Sequence, residues 1–206
     1  MIERRRKIAP TDPRLLSLRA EVALVDEDLP AARELLKLAQ KHSPTHGDVL
    51  AVLYTVCTVA DDKRCAQKAL KTNLKANPHD PQPHLVAAQY LEAGHRYDLV
   101  LKQLQLALKR DPDSAAAHAA LGMSYARLAD DKKAFAHLDT AFRTDGYNVR
   151  TANVLNVLYD GVLKHMPVLK GEFVDLRVHR KHRRAFERTV LPFLQESYEI
   201  LAKKYG

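Results

Sequence analysis

Four prolines, Pro10, Pro44, Pro78 and Pro112, stand 34 residues apart. A fixed period of this length restricts a chain to architectures that stack one supersecondary unit on the next, because a unit so small cannot bury its own apolar face. The next step lands on Gly146, another helix breaker. The same step links Ala32, Ala66, Val100 and Ala134, all small or medium and apolar. It also links Leu36, Leu70, Leu104 and Leu138; then Ala39, Asn73, Ala107 and Ala141; then Ala20, Tyr54, Ala88 and Gly122. Small residues let two helices approach closely, and the leucine series fills the space between one pair and the next. Each proline stops a helix, because it lacks an N–H and clashes with the preceding turn. Asp12, Asp80 and Asp113 are placed to accept backbone N–H groups at the start of the helix that follows.

The pattern predicts first helices at 13–25, 47–60, 81–94 and 115–129, and second helices at 30–41, 62–76, 97–110 and 131–144. Pro30 then falls in a first turn, where a missing N–H is harmless. A further helix covers 148–165, with Ala152, Leu155, Leu158, Tyr159 and Val162 on one face. The most regular unit runs from Ala115 to Asp145, with Leu121-Gly122, Tyr125, Ala134, Leu138 and Ala141. This unit resembles the tetratricopeptide repeat, whose pattern is Leu-Gly, Tyr, Ala, a large residue, Ala, then Pro. The resemblance spans residues 1–147, about four units and a partial N-terminal one. It implies an all-α, right-handed superhelix of antiparallel helix pairs. The first unit departs most, with Arg19 where Leu is usual, and Leu18 or Val22 is expected to supply the core contact there.

After residue 165 the period is lost. Residues 148–171 read as a capping helix and linker, with a loop at Met166–Gly171. Phe173 to His179 alternates apolar and polar, a strand signal. Residues 181–205 return to helix, with Phe186, Val190, Phe193, Leu194, Tyr198, Leu201 and Tyr205 as an apolar stripe and Tyr205-Gly206 as a C-cap pair. A single strand cannot satisfy its own backbone, so 172–206 is expected to be the strand-helix start of a further domain, truncated here. The strand would then pair with a second copy, be poorly ordered, or collapse onto the last helices. The stripe would pack on the helix at 148–165 or on a neighbouring chain, so self-association through 172–206 is expected. The segment also resembles the repeat-to-peptidase junction of bacterial gluzincin metallopeptidases. Asn153-Val154-Leu155-Asn156-Val157-Leu158 matches its closing helix and Phe173 to His179 its strand. Leu191, Pro192, Leu194, Tyr198, Leu201, Tyr205 and Gly206 match the helix that follows. That resemblance implies a peptidase parent, whose zinc would sit on a His-Glu-x-x-His helix. No such motif occurs in this sequence, and His179 and His182 lack an accompanying acid or third ligand.

Composition narrows function further. Hydrophobic residues at 46% and charged residues at 28% suit a soluble helical protein. No apolar run is long enough to span a membrane, and no apolar signal stretch follows the basic Met1–Lys7 segment. The native compartment stays open. The net charge of +8 gathers at Arg4, Arg5, Arg6 and Lys7 and at Arg177, Arg180, Lys181, Arg183 and Arg184. Aromatics for base stacking are not interleaved there, so nucleic acid is not the expected partner. Cys57 and Cys65 are too few for a disulfide scaffold and lack zinc-finger spacing; they are expected as two small core residues on neighbouring helices. The pairs Asp61-Asp62 and Asp130-Asp131 sit before second helices, where the helix dipole favours them. No phosphate loop or nucleophile elbow occurs, so neither catalysis nor a cofactor nor a metal is expected in this chain.

What remains is a surface for a protein or peptide ligand. In a repeat superhelix the first helices line the concave face. By register the outward positions are Arg14, Ser17 and Glu21; Asp48, Ala51 and Thr55; Gln82, Leu85 and Gln89; and Ala116, Ala119, Met123 and Arg127. Glu21, Asp48, Thr55, Gln82, Leu85, Gln89, Ala119, Met123 and Arg127 are the candidate groove residues. They carry no Lys-Asn-Lys-Arg set of the kind that grips a chaperone-tail carboxylate. Two classes therefore stand side by side: an interaction scaffold, and the accessory part of a larger zinc-dependent peptidase whose catalytic domain lies beyond Gly206. A third reading is a basic nucleic-acid-binding module.

Overall fold

A computed structural model describes residues 11–205, which fall into two compact units divided between Gly146 and Tyr147. The basic Met1–Lys7 segment, Pro10 and Gly206 lie outside the described residues. The first unit is a tetratricopeptide-type array of helix pairs: α1 (Pro13–Val25) with α2 (Leu29–His42), α3 (Gly47–Val59) with α4 (Lys63–Ala76), α5 (Gln82–Ala93) with α6 (Tyr97–Arg110), and α7 (Ala115–Arg127) with α8 (Asp131–Thr144). All these bounds lie within two residues of the sequence reading. No described helix is long and apolar enough to cross a membrane.

The 34-residue series are the core. Ala32, Ala66, Val100 and Ala134 are buried, as are Ala39, Ala107 and Ala141 and the leucines at 36, 104 and 138. Leu70 is only half-buried. Asn73, the one polar member, is buried as well, and its Nδ2 donates to the Asp80 carboxylate at 2.7 Å. In the first unit the Arg19 departure is not compensated by Leu18 or Val22, which are 43% and 50% exposed. Leu15, Leu16, Ala20 and Leu24 make the core there instead, because they lie on the α1 face that meets α2 and α3.

Five of the eight repeat helices are capped by a side chain at the N-terminus. Asp12, Asp28, Asp62, Ser114 and Asp130 each cap a helix N-terminus through a side-chain oxygen. Asp113 does not; Ser114 takes that role, since its hydroxyl is one residue nearer the first turn. Each intra-repeat turn places one residue in the left-handed region: Glu27, Asp61, His95 and Ala129, again 34 apart, with φ between 53° and 60°. The two N–H groups at each turn reach back to carbonyls three and five residues earlier, as Ala129 to Ala126 and Asp130 to Tyr125. This is a Schellman motif closed without glycine at its αL position. Ala129→Gly is expected to stabilise the unit by roughly 0.5–1 kcal/mol, because relief of the αL penalty outweighs the looser unfolded chain. A urea midpoint that stays level or falls would count against it.

Cys57 on α3 and Cys65 on α4 are not two separate core thiols. They are joined as a disulfide, with Cα atoms 5.7 Å apart. The reach across the tight turn brings positions eight residues apart face to face, which sequence spacing alone did not suggest.

In the second unit, α9 (Val149–Asn153) runs on through π-helical turns at Val154–Val162 and a 3-10 turn at Leu163–His165. The segment after it is not a plain loop, and the strand that follows is not alone. β1 (Val168–Leu169) pairs antiparallel with β2 (Leu176–Arg177), Val168 opposite Arg177 and Leu169 opposite Leu176. The alternation from Phe173 to His179 thus yields two paired residues, because the partner strand is only two residues long. A 3-10 turn (Arg180–His182), the short α10 (Arg183–Ala185) and π-helical turns at Phe186–Val190 lead into α11 (Leu191–Tyr205). The hairpin folds back on α11: Phe173 and Tyr198 stack at 5.1 Å. A Cβ on Gly171 would lie 2.5 Å from the Val174 carbonyl oxygen and 2.8 Å from Leu191 Cδ1, so only glycine permits this approach.

Candidate peptide-binding groove

The first helices α1, α3, α5 and α7 carry the candidate residues, and the structure treats them unequally. Gln82, Leu85 and Gln89 come together on α5. They line a cleft of about 230 Å³ with Val86, Ala88 and Glu92, closed by Ala116 and Ala120 of α7 and floored by Val100 and Leu104. Gln82 and Gln89 are exposed, whereas Leu85 is buried into the floor. Ala119 and Met123 are half-buried on α7, outside this lining. Arg127 is exposed and ion-paired with Glu92, which ties the rim of α7 to that of α5.

Earlier in the array the groove is closed. Ser17, Ala51 and Thr55 are buried, not outward, and the Thr55 hydroxyl donates to the Ala51 carbonyl at 2.9 Å. Tyr90 of α5 reaches into this part of the array. Its ring packs against the core of the first two repeats, and its hydroxyl donates to the Glu21 carbonyl of α1 at 3.3 Å. One hydrogen bond thus links α5 to α1, and α3 is buried from Val49 through Cys57 except for half-buried Leu53. Burial is the main reason the Tyr90 hydroxyl is pushed up to about 12. Glu21 is raised by burial and by the nearby Asp48 charge, while Asp48 in turn pairs with Arg14 at 3.4 Å. Arg14 and Asp48 hold the same position of successive repeats and so neutralise each other.

A second cleft, of about 390 Å³, opens where the C-terminal ends of α1, α3 and α5 converge. Leu24, Val25, Glu27, Val59, Gln89, Tyr90, Ala93 and Gly94 line it. Gln89 is the one residue that lines both clefts. Sequence reasoning missed this second cleft; Tyr90, an aromatic one residue past the outward register position, was the available signal.

Behind the groove, His84 of α5 is fully buried. Gln103 Oε1 lies 2.8 Å from its Nδ1 and accepts the Tyr54 hydroxyl at 3.0 Å, and His84 Nε2 has no partner. A proton on Nε2 would leave a buried charge unpaired, so burial holds His84 below the usual imidazole value of 6.5. Arg110 acts in the same direction, while the Gln103 bond and Asp80 oppose it. The unfolded chain therefore binds more protons just below that value. Stability is full above 6.5, is lost as pH falls from there through the lowered folded value, and then levels off. His84→Leu is expected to flatten that slope in chemical melts taken at several pH values, with Tyr54 and Gln103 still bonded to each other. An unchanged slope would assign the acid sensitivity elsewhere, for instance to His137, which is also lowered by burial and then by His118.

Among the described residues no three metal-ligating side chains gather, and the His179 and His182 rings stand 6.2 Å apart. Helix pairs of 34 residues define a fold of tetratricopeptide type. No family model matches the chain, and no curated protein matches it. Solved structures do. The tetratricopeptide protein YrrB, described as having an unusual peptide-binding site, is 19% identical at a TM-score of 0.42, over 75% of this chain and 80% of its own. TTC0263 of Thermus thermophilus, a thermophilic tetratricopeptide protein, is 21% identical at a TM-score of 0.47, over 74% and 84%. PilF of Pseudomonas aeruginosa is 16% identical at a TM-score of 0.46, over 72% and 68%.

Proposed function

We propose that this chain is a non-catalytic scaffold that binds a protein or peptide segment in the cleft between α5 and α7, passing Gln89 into the cleft at the ends of α1, α3 and α5. The repeats of residues 1–147 form the binding part. The observation that carries this reading is that Gln89 lines both clefts, so a segment lying across it would reach residues of all four first helices. Small Ala116 and Ala120 leave room for a backbone, and the Gln82 and Gln89 amides can both donate to and accept from it. Leu85, Leu24, Val25 and Val59 offer apolar contact for alternate side chains. With Glu92 paired to Arg127, Glu27 is the one remaining charged side chain among the residues that line the two clefts. A segment with apolar anchors and a free backbone therefore fits better than a highly charged one.

The test is selection of random peptides on the immobilised chain, followed by calorimetry with Gln89→Arg combined with Ala116→Arg. Both positions are exposed, so the fold should persist, as far-UV circular dichroism would show. At least a tenfold loss of affinity is expected, corresponding to about 1.4 kcal/mol. Selected peptides that bind the double variant unchanged would remove the groove from consideration.

A further inference from the structure

The cleft where α1, α3 and α5 end gathers negative potential from two sources, and the first is the backbone. Val25, Val59 and Ala93 are the last residues of these helices, and all three line the cleft. A helix C-terminus carries a partial negative charge, which Lys or Arg in the last turn offsets. The other five repeat helices have such a cation: Lys41 on α2, Lys75 on α4, Arg110 on α6, Arg127 on α7 and Arg143 on α8. Helices α1, α3 and α5 have none in their last turns. The three helix ends left without a balancing cation are therefore the three that meet at this one cavity.

The second source is side chains. Glu27 is the one charged residue in the lining of this cleft. In the turns at 26–28, 60–62 and 94–96, carboxylates stand at Asp26, Glu27, Asp28, Asp61 and Asp62 against a single Arg96. Asp28 and Asp62 are engaged as caps of the helices that follow. Asp26, Glu27 and Asp61 are exposed and have no ion-pair partner among the described residues. The rest of the wall is apolar, with Leu24, Val25, Val59 and the ring of Tyr90. An apolar wall with a negative end suits a chain of methylenes that carries a cation, and an aromatic ring adds to the attraction. An anionic group would be repelled there, and a bare cation would gain nothing from the wall. We infer that this cleft is a recognition pocket for a lysine or arginine side chain of the bound segment, its stem against Leu24, Val25 and Val59 and its cationic head at Glu27 and the three helix ends. This role rests on the two clefts forming the binding site proposed above, and it adds a requirement on the ligand: one basic residue beside the apolar anchors.

Random peptides displayed on phage and selected on the immobilised full chain test the assignment. Only peptides that lose binding to the combined Gln89→Arg and Ala116→Arg variant are scored, so that use of the groove is established first. These peptides should share one Lys or Arg. Selection on Glu27→Lys should favour Asp or Glu at that position instead, because the charge at the end of the cleft is reversed. Calorimetry with one selected peptide, made synthetically, gives the magnitude. Norleucine in place of the basic residue should weaken binding about tenfold on the unaltered chain, but only about threefold on Glu27→Gln, where the helix ends and the Tyr90 ring remain. Groove-dependent peptides without a basic preference, or a norleucine loss as large on Glu27→Gln as on the unaltered chain, would overturn the pocket and leave the groove standing. Peptides indifferent to the combined variant, or no enrichment at all, would remove groove and pocket together.

Discussion

Leu138→Ala is expected to lower the unfolding free energy of the repeat unit by about 2–5 kcal/mol. The leucine is wholly buried, on the α8 face that Gly122 of α7 approaches most closely. Its loss removes transfer energy and opens a cavity that the two stiff helices cannot collapse around, since their spacing is fixed by Ala134 and Ala141 on the same face. Leu104→Ala should behave alike, because it holds the same position one repeat earlier and is 1% exposed. Leu70→Ala is the internal comparison. It belongs to the same 34-residue series but is half-buried at the margin of the Tyr54, Cys57 and Ala87 cluster, so its loss should be clearly smaller. Urea melts followed by far-UV circular dichroism measure all three. Equal losses at 70 and 138, or none at 138, would mean that the leucine series does not fill the gaps between repeats.

That series was readable before any coordinates because packing between identical units imposes identical residue choices. The helix bounds of the first unit followed from it, since prolines before the first helices and the apolar period agree from repeat to repeat. Features that depend on contacts across more than one repeat were not readable. Thr55 occupies the same register position as exposed Gln89, yet it is fully buried, in the part of the array where Tyr90 of α5 bonds to α1. The register positions of α1 and α3 therefore line neither cleft, a fact that no single repeat encodes. The Schellman turns were invisible for a different reason. Glu27, Asp61, His95 and Ala129 adopt the αL conformation without glycine, while Gly94 stands one residue early and suggests the wrong cap. The hairpin escaped because β1 has two residues, too few to show alternation. The disulfide escaped because the turn geometry, not the spacing, brings Cys57 to Cys65.

Gly122 permits the sharpest test of how the last helix pair is packed. A Cβ built there would lie 2.5 Å from Leu138 Cγ, 2.8 Å from its Cδ2 and 3.1 Å from the Ala134 carbonyl oxygen. The first two contacts are too short to survive, and the third is to backbone, so α7 and α8 must separate or Leu138 must leave its rotamer. Gly122→Val is expected to cost about 3 kcal/mol, the upper part of the usual range for overpacking. Gly122→Ala should cost about 1–2 kcal/mol, because the improved helix propensity of alanine returns part of the strain. Combined with Leu138→Ala the sign should change. Truncation removes Cγ and Cδ2, the two nearest atoms, and leaves space for the new methyl group. In that background Gly122→Ala should be neutral or stabilising by up to about 1 kcal/mol, a coupling between the two sites of about 1–3 kcal/mol. The four melts of this cycle decide the cause. If Gly122→Ala costs as much without the leucine as with it, the strain lies in the α7 backbone against the Ala134 carbonyl, and the small-against-large packing read from the 34-residue period does not set the spacing of this pair.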